Sequence, residues 1–193
     1  MRVLSLDLST STGWALFEDD KLIAHGRLEQ IHVKDFNVNA HPNKSSAYPA
    51  NIIDAAKKIA ALVREQLDTH RPDHVVVENT VKGRNRHTQR ILEFIHFTVL
   101  EELLSRRLPF TYLDPSEWRK ILDIRLSADD KANNKDVKAG KKRGKIGKKH
   151  LAVRAANERF GLALKQKDDD VADAILLGLA HIQPPAPEEP AEQ

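Results

Sequence analysis

Two short apolar segments that each end in an acidic residue place the strongest constraint on the fold of this chain. Residues 74–78 read His-Val-Val-Val-Glu, a β-branched run typical of a strand that is buried on both faces. Residues 2–8 (RVLSLDL) form a second apolar run, which reaches Asp7 near its end. A carboxylate at the buried end of such a strand is costly unless a partner compensates its charge. The two segments therefore predict adjacent strands with Asp7 and Glu78 close together.

The other elements follow from hydrophobic periodicity and turn residues. The turns at residues 9–13 and 19–20 are short enough to make the first three strands antiparallel, whereas helices separate the later strands and favour parallel pairing. The result is a predicted α/β domain over residues 1–183, with a mixed five-stranded sheet flanked by helices. Further strands are expected at residues 12–18, 21–29 and 110–113, and helices at residues 49–67, 88–107, 115–122, 148–160 and 169–182.

The chain of 193 residues contains no cysteine, which excludes disulfide frameworks, thiolate metal sites and cysteine nucleophiles. Its hydrophobic content of 40% is sufficient for one core. The N-terminal apolar run meets Asp7 too early for a signal peptide, and the sequence has no run of about 18 apolar residues that could span a bilayer. These features predict a soluble protein of the cytoplasm.

Charge is distributed unevenly along the chain. Residues 131–167 carry 13 basic and 2 acidic side chains, a net charge of +11, whereas residues 168–193 carry 7 acidic and no basic side chains. The basic part favours binding of a polyanion. Residues 129–149 contain three glycines and few large apolar side chains, which predicts a mobile basic loop. The proline-rich residues 184–193 are predicted to form a disordered tail.

Four more acidic residues, Asp168, Asp169, Asp170 and Asp173, lie at the start of the last predicted helix. Aspartates are common at helix N-termini because they interact favourably with the helix dipole, and Asp7 could simply cap the turn that follows it. Beside the two strand ends, however, these carboxylates would form an oxygen-rich site suited to Mg²⁺ or Mn²⁺. Two such ions can activate water and stabilise both oxygens in phosphodiester displacement.

Three sequence motifs resemble those of RuvC-type Holliday-junction resolvases, which have a ribonuclease H-like fold. They are residues 4–15 (LSLDLSTSTGWA), residues 75–78 (VVVE) and residues 170–174 (DVADA). The turn at residues 9–13 (STSTG) is similar to that of the phage and viral branch. The resemblance implies a homodimeric, Mg²⁺-dependent crossover junction endodeoxyribonuclease, which resolves four-way DNA junctions by paired symmetric nicks.

The resemblance also implies the residues of the site. Each site would hold two Mg²⁺ ions, for which Mn²⁺ can substitute, and Asp169 is an alternative to Asp170 as a ligand. Bacterial members carry an aromatic residue shortly after the central glutamate, whereas residues 79–81 read Asn-Thr-Val here. The residues implied as catalytic groups and metal ligands are Asp7, Glu78, Asp170 and Asp173.

Basic residues near these motifs are predicted to bind branched DNA, because lysine and arginine side chains neutralise phosphates. Two symmetric cuts favour a homodimer. The candidate interface is the helix at residues 88–107, because Phe94 and Phe97 lie outside its main apolar stripe. The protein is expected beside nucleoid or phage DNA and away from membranes. The predicted DNA-binding residues are Arg84, Arg86, Arg90, Arg119, Lys120, Lys138, Lys141, Lys142, Arg143, Lys145, Lys148 and Lys149.

Three other functions remain open at the level of sequence. A ribonuclease H-fold nuclease could act on other branched DNA or on RNA–DNA hybrids. Residues 4–23 also resemble the first phosphate motif of sugar kinases and actin-like ATPases, but the chain is too short for the two domains of that superfamily. A non-catalytic DNA-binding protein with structural acids would bind DNA and cut nothing.

Overall fold

A computed structural model of the chain describes residues 1–33, 48–79, 85–140 and 144–183. Within these ranges, no helix is both long enough and apolar enough to cross a membrane. The strands are β1 (Arg2–Asp7), β2 (Gly13–Glu18), β3 (Lys21–Arg27), β4 (His74–Glu78) and β5 (Phe110–Leu113). The helices are α1 (Ala50–His70), α2 (Arg86–Ser105), α3 (Pro115–Ile121), α4 (Ala128–Lys138), α5 (Lys148–Phe160) and α6 (Asp169–Ile182).

The five strands form one mixed sheet in the order β3-β2-β1-β4-β5. Short turns make β1, β2 and β3 an antiparallel meander. The crossover through α1 makes β4 parallel to β1, and the crossover through α2 makes β5 parallel to β4. The predicted fold class is therefore confirmed, and β1 and β4 are the neighbouring strands at the centre.

Helices cover both faces of the sheet. Leu4, Leu6 and Val75 pack with α1 and α2 on one face. Val3 and Val76 point to the other face and pack with α3, α5 and α6. This separation follows from the alternation of side chains along a strand, which sends odd and even positions of β1 to opposite layers. Helix α6 is buried along nearly its whole length and lies against the centre of the sheet.

The predicted mobile loop at residues 129–149 is wrong in its first half, because α4 occupies Ala128–Lys138. The side chain of Ser127 accepts a hydrogen bond from the backbone N–H of Asp130, and the Asp130 carboxylate accepts one in return from the N–H of Ser127. This reciprocal capping satisfies donors that a helix start leaves unpaired. The tail at residues 184–193 lies outside the described residues.

Candidate active site

The ends of β1 and β4 bring Asp7 and Glu78 to the same edge of the sheet. The two strands pair in parallel, with Leu6 opposite Val77, so that Asp7 and Glu78 are the next positions along the two strands. Both carboxylates lie on the sheet face that carries Val76, which is the face covered by α6. The predicted proximity of the two strand ends is thus present in the fold.

Helix α6 approaches this edge closely because small residues of the sheet allow it. Gly13 pairs with Asp7 across β1 and β2, and a Cβ atom at Gly13 would lie 2.0 Å from the backbone oxygen of Asp170. The hydroxyl of Ser5 donates a 2.7 Å hydrogen bond to the carbonyl of Ala174 in α6. Ser5 lies two residues before Asp7 on the same face of β1, so this bond fixes the acidic first turn of α6 beside Asp7.

Two carboxylates of the site are held by residues of α3. The indole N–H of Trp118, a fully buried side chain, donates a 2.8 Å hydrogen bond to Oε2 of Glu78. The guanidinium of Arg119 lies 3.5 Å from the carboxylate of Asp173 and stacks over the Trp118 ring at 4.1 Å. Consecutive residues of one short helix therefore orient one acid from β4 and one from α6.

The remaining aspartates at the start of α6 have cationic partners from other elements. The Nε atom of Arg27, at the end of β3, lies 3.7 Å from Oδ2 of Asp170. The same guanidinium donates a hydrogen bond to the carbonyl of Lys167. The ammonium of Lys149, in the first turn of α5, pairs with Asp169. Cations from two elements thus compensate the acidic start of α6.

The acids at this edge of the sheet are close enough to shift one another's pKa values. Burial raises the pKa of Asp7 well above its usual range, and the negative charges of Glu78, Asp173 and Asp170 raise it further. Burial, with the charge of Glu78, raises the pKa of Asp173 to about 7. The pKa of Glu78 is also raised by burial, although the hydrogen bond from Trp118 opposes the shift. The cluster therefore resists full ionisation unless a cation neutralises it.

The donor chemistry of this cluster fits divalent metal ions. Carboxylate oxygens are the ligands that Mg²⁺ and Mn²⁺ prefer, and a bound cation would remove the repulsion that raises these pKa values. Across the described ranges, no three acidic or histidine side chains already converge on one point in a metal-binding arrangement. Ion binding at this edge therefore requires some of the carboxylates to move towards one another.

The predicted DNA-binding residues divide into three groups. Arg119 is mostly buried, and its guanidinium lies 3.5 Å from the carboxylate of Asp173. Arg84 and residues 141–143 lie outside the described residues. The predicted residues that the structure leaves exposed are Arg86, Arg90, Lys120, Lys138, Lys145, Lys148 and Lys149, the last of them paired with Asp169.

Sequence reasoning missed several residues that build the site. Trp118 was recognisable only as an apolar position of a short helix, because its bond to Glu78 spans 40 positions of the chain. Arg27 contacts a carbonyl 140 positions away, and no local pattern signals that contact. Gly13 was noted as a turn residue, whereas its structural importance is the close approach of α6.

Comparison with solved structures identifies the architecture. The structure of Thermus thermophilus RuvC in complex with a Holliday junction substrate superposes with a TM-score of 0.62 at 16% identity, covering 94% of this chain and 92% of that chain. A second Thermus thermophilus RuvC structure gives a TM-score of 0.60 at 18% identity, covering 94% and 93%. This chain has the RuvC fold. The likeness extends over nearly all of both chains, which confirms the predicted ribonuclease H-like fold.

The RuvC fold is also shared with a eukaryotic protein. The yeast mitochondrial Holliday junction resolvase Ydc2 gives a TM-score of 0.51 at 18% identity, covering 94% of this chain and 77% of that chain. No protein-family model and no curated protein sequence matches the chain. At 16–18% identity, the likeness to the RuvC structures is one of fold.

Proposed function

We propose that this protein is a metal-dependent endonuclease that resolves four-way DNA junctions by paired symmetric nicks. The observation that carries the proposal is the cluster of carboxylates from β1, β4 and α6 at one edge of a RuvC fold. Thermus thermophilus RuvC, which shares this fold, has been solved with a Holliday junction substrate. The surrounding lysines and arginines provide charge for a phosphate backbone.

The residues that would hold the metal ions are Asp7, Glu78, Asp170 and Asp173. Bound Mg²⁺, or Mn²⁺ in its place, would supply activation of water and stabilisation of the leaving 3′-oxygen. The carboxylate of Asp7 is buried beside three other acids, and no lysine or arginine of the described residues forms an ion pair with it, so it is the ligand most available for an ion. The ion pair between Lys149 and Asp169 favours Asp170 over Asp169 as the ligand from this turn.

The residues around the acids orient them and provide charge for the DNA. Trp118 fixes one oxygen of Glu78 and leaves the other free to bind. Arg119 stabilises the ionised form of Asp173 in a site where burial opposes ionisation. A groove lined by four basic side chains and by Asp123, which pairs with Arg125, adjoins α3 and the start of α5. The basic side chains are those of Arg119, Lys120, Arg125 and Lys148. We assign this groove to a phosphate-bearing strand that leads to the carboxylates.

The exposed side of α2 supports the proposed homodimer. Phe97 and Leu104 are 60% and 59% exposed, although both are large apolar side chains. They lie seven positions apart and therefore share one helix face. Phe94, in contrast, packs against the core on the side of α1. An apolar face of this kind fits a two-fold contact between the α2 helices of two protomers.

A charged α2 face should separate the protomers. In the Phe97→Glu, Leu104→Glu double variant, burial of two carboxylates would oppose association, and we expect dimer dissociation to increase by at least about a hundredfold. Sedimentation equilibrium over a range of concentrations measures the effect. Ser105→Glu, which adds charge to an exposed position of the same helix, serves as the control. Equal self-association of both variants would contradict an α2 interface.

Substrate selectivity tests the proposed function directly. We expect a synthetic four-way junction to be nicked at two symmetric positions in Mg²⁺, at least about tenfold faster than linear duplex, a flap or an RNA–DNA hybrid of the same sequence. Gel analysis of end-labelled strands measures the cut positions and rates. Preferential cutting of a flap or hybrid would reject the junction as substrate, and binding without any cutting would reject the enzyme.

A further inference from the structure

Helix α4 presents a row of lysines to solvent. Lys131, Lys135 and Lys138 are all exposed, and their spacing of four and then three residues places them on one face of the helix. No aspartate or glutamate occurs three or four positions from any of them in the sequence. Like charges at this spacing repel one another, and the position of Lys135 and Lys138 in the last turn, where cations favour the helix dipole, offsets part of that cost. An external anion would remove the remaining repulsion.

The inner side of α4 is attached to the domain by polar contacts. Asp130, the only buried residue of the helix, is 4% exposed. Its carboxylate accepts two hydrogen bonds from the guanidinium of Arg154 in α5, at 2.9 and 2.6 Å. These bonds and the capping by Ser127 lower the pKa of Asp130, so the ion pair persists over the physiological pH range. Helix α4 therefore adds almost no apolar surface to the core.

A second polar contact links α4 to the segment that enters α5. The side-chain amide of Asn134 donates a 2.9 Å hydrogen bond to the carbonyl of Ile146 and accepts a 2.8 Å bond from its N–H. Helix α5 begins two residues later at Lys148, whose positive charge acts on Glu78. Helix α4 is thereby held in a defined position relative to the acidic cluster.

The lysine row matches the charge and dimensions of a DNA backbone. Lys131 and Lys138 are seven positions apart, which places them about 10 Å apart along the helix axis. Duplex DNA carries one negative charge per about 1.7 Å of its axis, so a row of this length can face several phosphates. Contacts of this type give affinity without base recognition, which suits a substrate selected by its branched shape.

We propose that α4 is a docking helix for one duplex arm of the DNA, with Lys131, Lys135 and Lys138 in contact with the sugar–phosphate backbone. The ion pair between Asp130 and Arg154 and the bonds of Asn134 hold the helix in place. This proposal rests on the proposed function, because it assigns a position to one arm of the same substrate. It adds two lysines, at positions 131 and 135, to those predicted from the sequence.

The salt dependence of DNA binding tests the lysine row. Binding of the full-length chain to a four-way junction is measured by fluorescence anisotropy in EDTA, over a range of NaCl concentrations. For the Lys131→Gln, Lys135→Gln, Lys138→Gln triple variant, we expect the slope of log affinity against log salt to decrease by about 2 to 3, since each phosphate contact contributes about 0.9. The affinity at low salt should fall by at least about tenfold.

A matched triple variant separates local contacts from the loss of overall charge. Lys21, Lys57 and Lys58 are exposed lysines of β3 and α1, and their replacement by glutamine changes the net charge equally. We expect this control to retain most of the wild-type slope. Equal loss of slope in the two triple variants would overturn the proposal, because the effect would then reflect net charge alone.

Detaching α4 provides a second test. Arg154→Met removes the partner of Asp130, and Asn134→Ala removes the contacts with Ile146. In the double variant, we expect faster amide hydrogen exchange in α4 and a loss of slope comparable to that of the α4 lysine variant. Faster exchange with an unchanged slope would overturn the proposal. Binding in EDTA is independent of cutting, so failure of the nuclease assignment would remain distinguishable from failure of the docking assignment.

Discussion

Asp7→Asn is expected to abolish metal-dependent cutting of the four-way junction, with a loss of at least about a thousandfold, the order seen when an essential active-site group is removed. The physical reason is that Asp7 lies between the acids of β4 and α6, where its charge interacts with three other carboxylates. Single-turnover assays in saturating Mg²⁺ measure the loss. Junction binding in EDTA should be retained, because the substitution removes a negative charge and no lysine.

In the absence of divalent metal, Asp7→Asn should increase the stability of the folded chain. The pKa of Asp7 is higher in the folded chain than in the unfolded chain, so Asp7 ionises more readily on unfolding. The wild type therefore loses stability as the pH rises from about 4 towards the raised pKa. Asp7→Asn lacks this penalty. We expect the variant to be more stable than the wild type in EDTA at pH 8, with a smaller difference at pH 5.

Asp54→Asn is a suitable control for both measurements, since Asp54 is exposed on α1, which packs on the sheet face opposite to the carboxylates. It should leave cutting and stability close to the wild type. Wild-type rates in Asp7→Asn would exclude Asp7 from the catalytic site. Lower stability of Asp7→Asn than of the wild type at pH 8 in EDTA would show that the carboxylates do not repel one another in the folded chain.

Gly13→Ala is expected to be strongly destabilising. The added methyl group would lie 2.0 Å from the backbone oxygen of Asp170 and 2.3 Å from its carbonyl carbon. Backbone atoms cannot rotate away as a side chain can, so β2 or the start of α6 has to move. We expect the free energy of unfolding to fall by about 3 kcal/mol or more. Urea denaturation measures this change.

The displacement should also impair the site, because Asp170 begins the segment that has to move. We therefore expect Gly13→Ala to lower the cutting rate of the protein that remains folded, in addition to its stability. Gly147→Ala is the matched control: Gly147 has a φ of −120°, and no heavy atom lies within 4 Å of a Cβ built there. Equal stability of the two alanine variants would show that α6 does not approach β2 as closely as the structure indicates.

The positions of Asp7 and Glu78 could be predicted because each belongs to a continuous apolar strand, and parallel neighbours end at one edge of a sheet. Helix α5 likewise begins and ends at the predicted residues, Lys148 and Phe160, because its periodicity is local information. The arrangement of the two strand-end carboxylates could therefore be predicted from short stretches of sequence.

The residues that contact the acids could not be predicted from the sequence, because each comes from a distant part of the chain. Nothing near Arg27 in the sequence indicates the start of α6, and nothing near Arg119 indicates Asp173. Helix α4 was missed for a related reason. Its composition is too polar to predict a helix by hydrophobic periodicity, and the ion pair that holds it joins Asp130 to Arg154, 24 positions later.

The hydrogen bond between Trp118 and Glu78 gives the protein an internal optical probe. The sequence contains two tryptophans, and the other, Trp14, lies beside the His70 ring with the ring centroids 5.1 Å apart. Indole emission responds to charges near the ring nitrogen, and the nitrogen of Trp118 contacts one of the proposed metal ligands directly. A Trp14→Phe variant would leave Trp118 as the single tryptophan. Its emission wavelength would then report changes in charge at the site, such as protonation of Glu78 or binding of a metal ion, in real time.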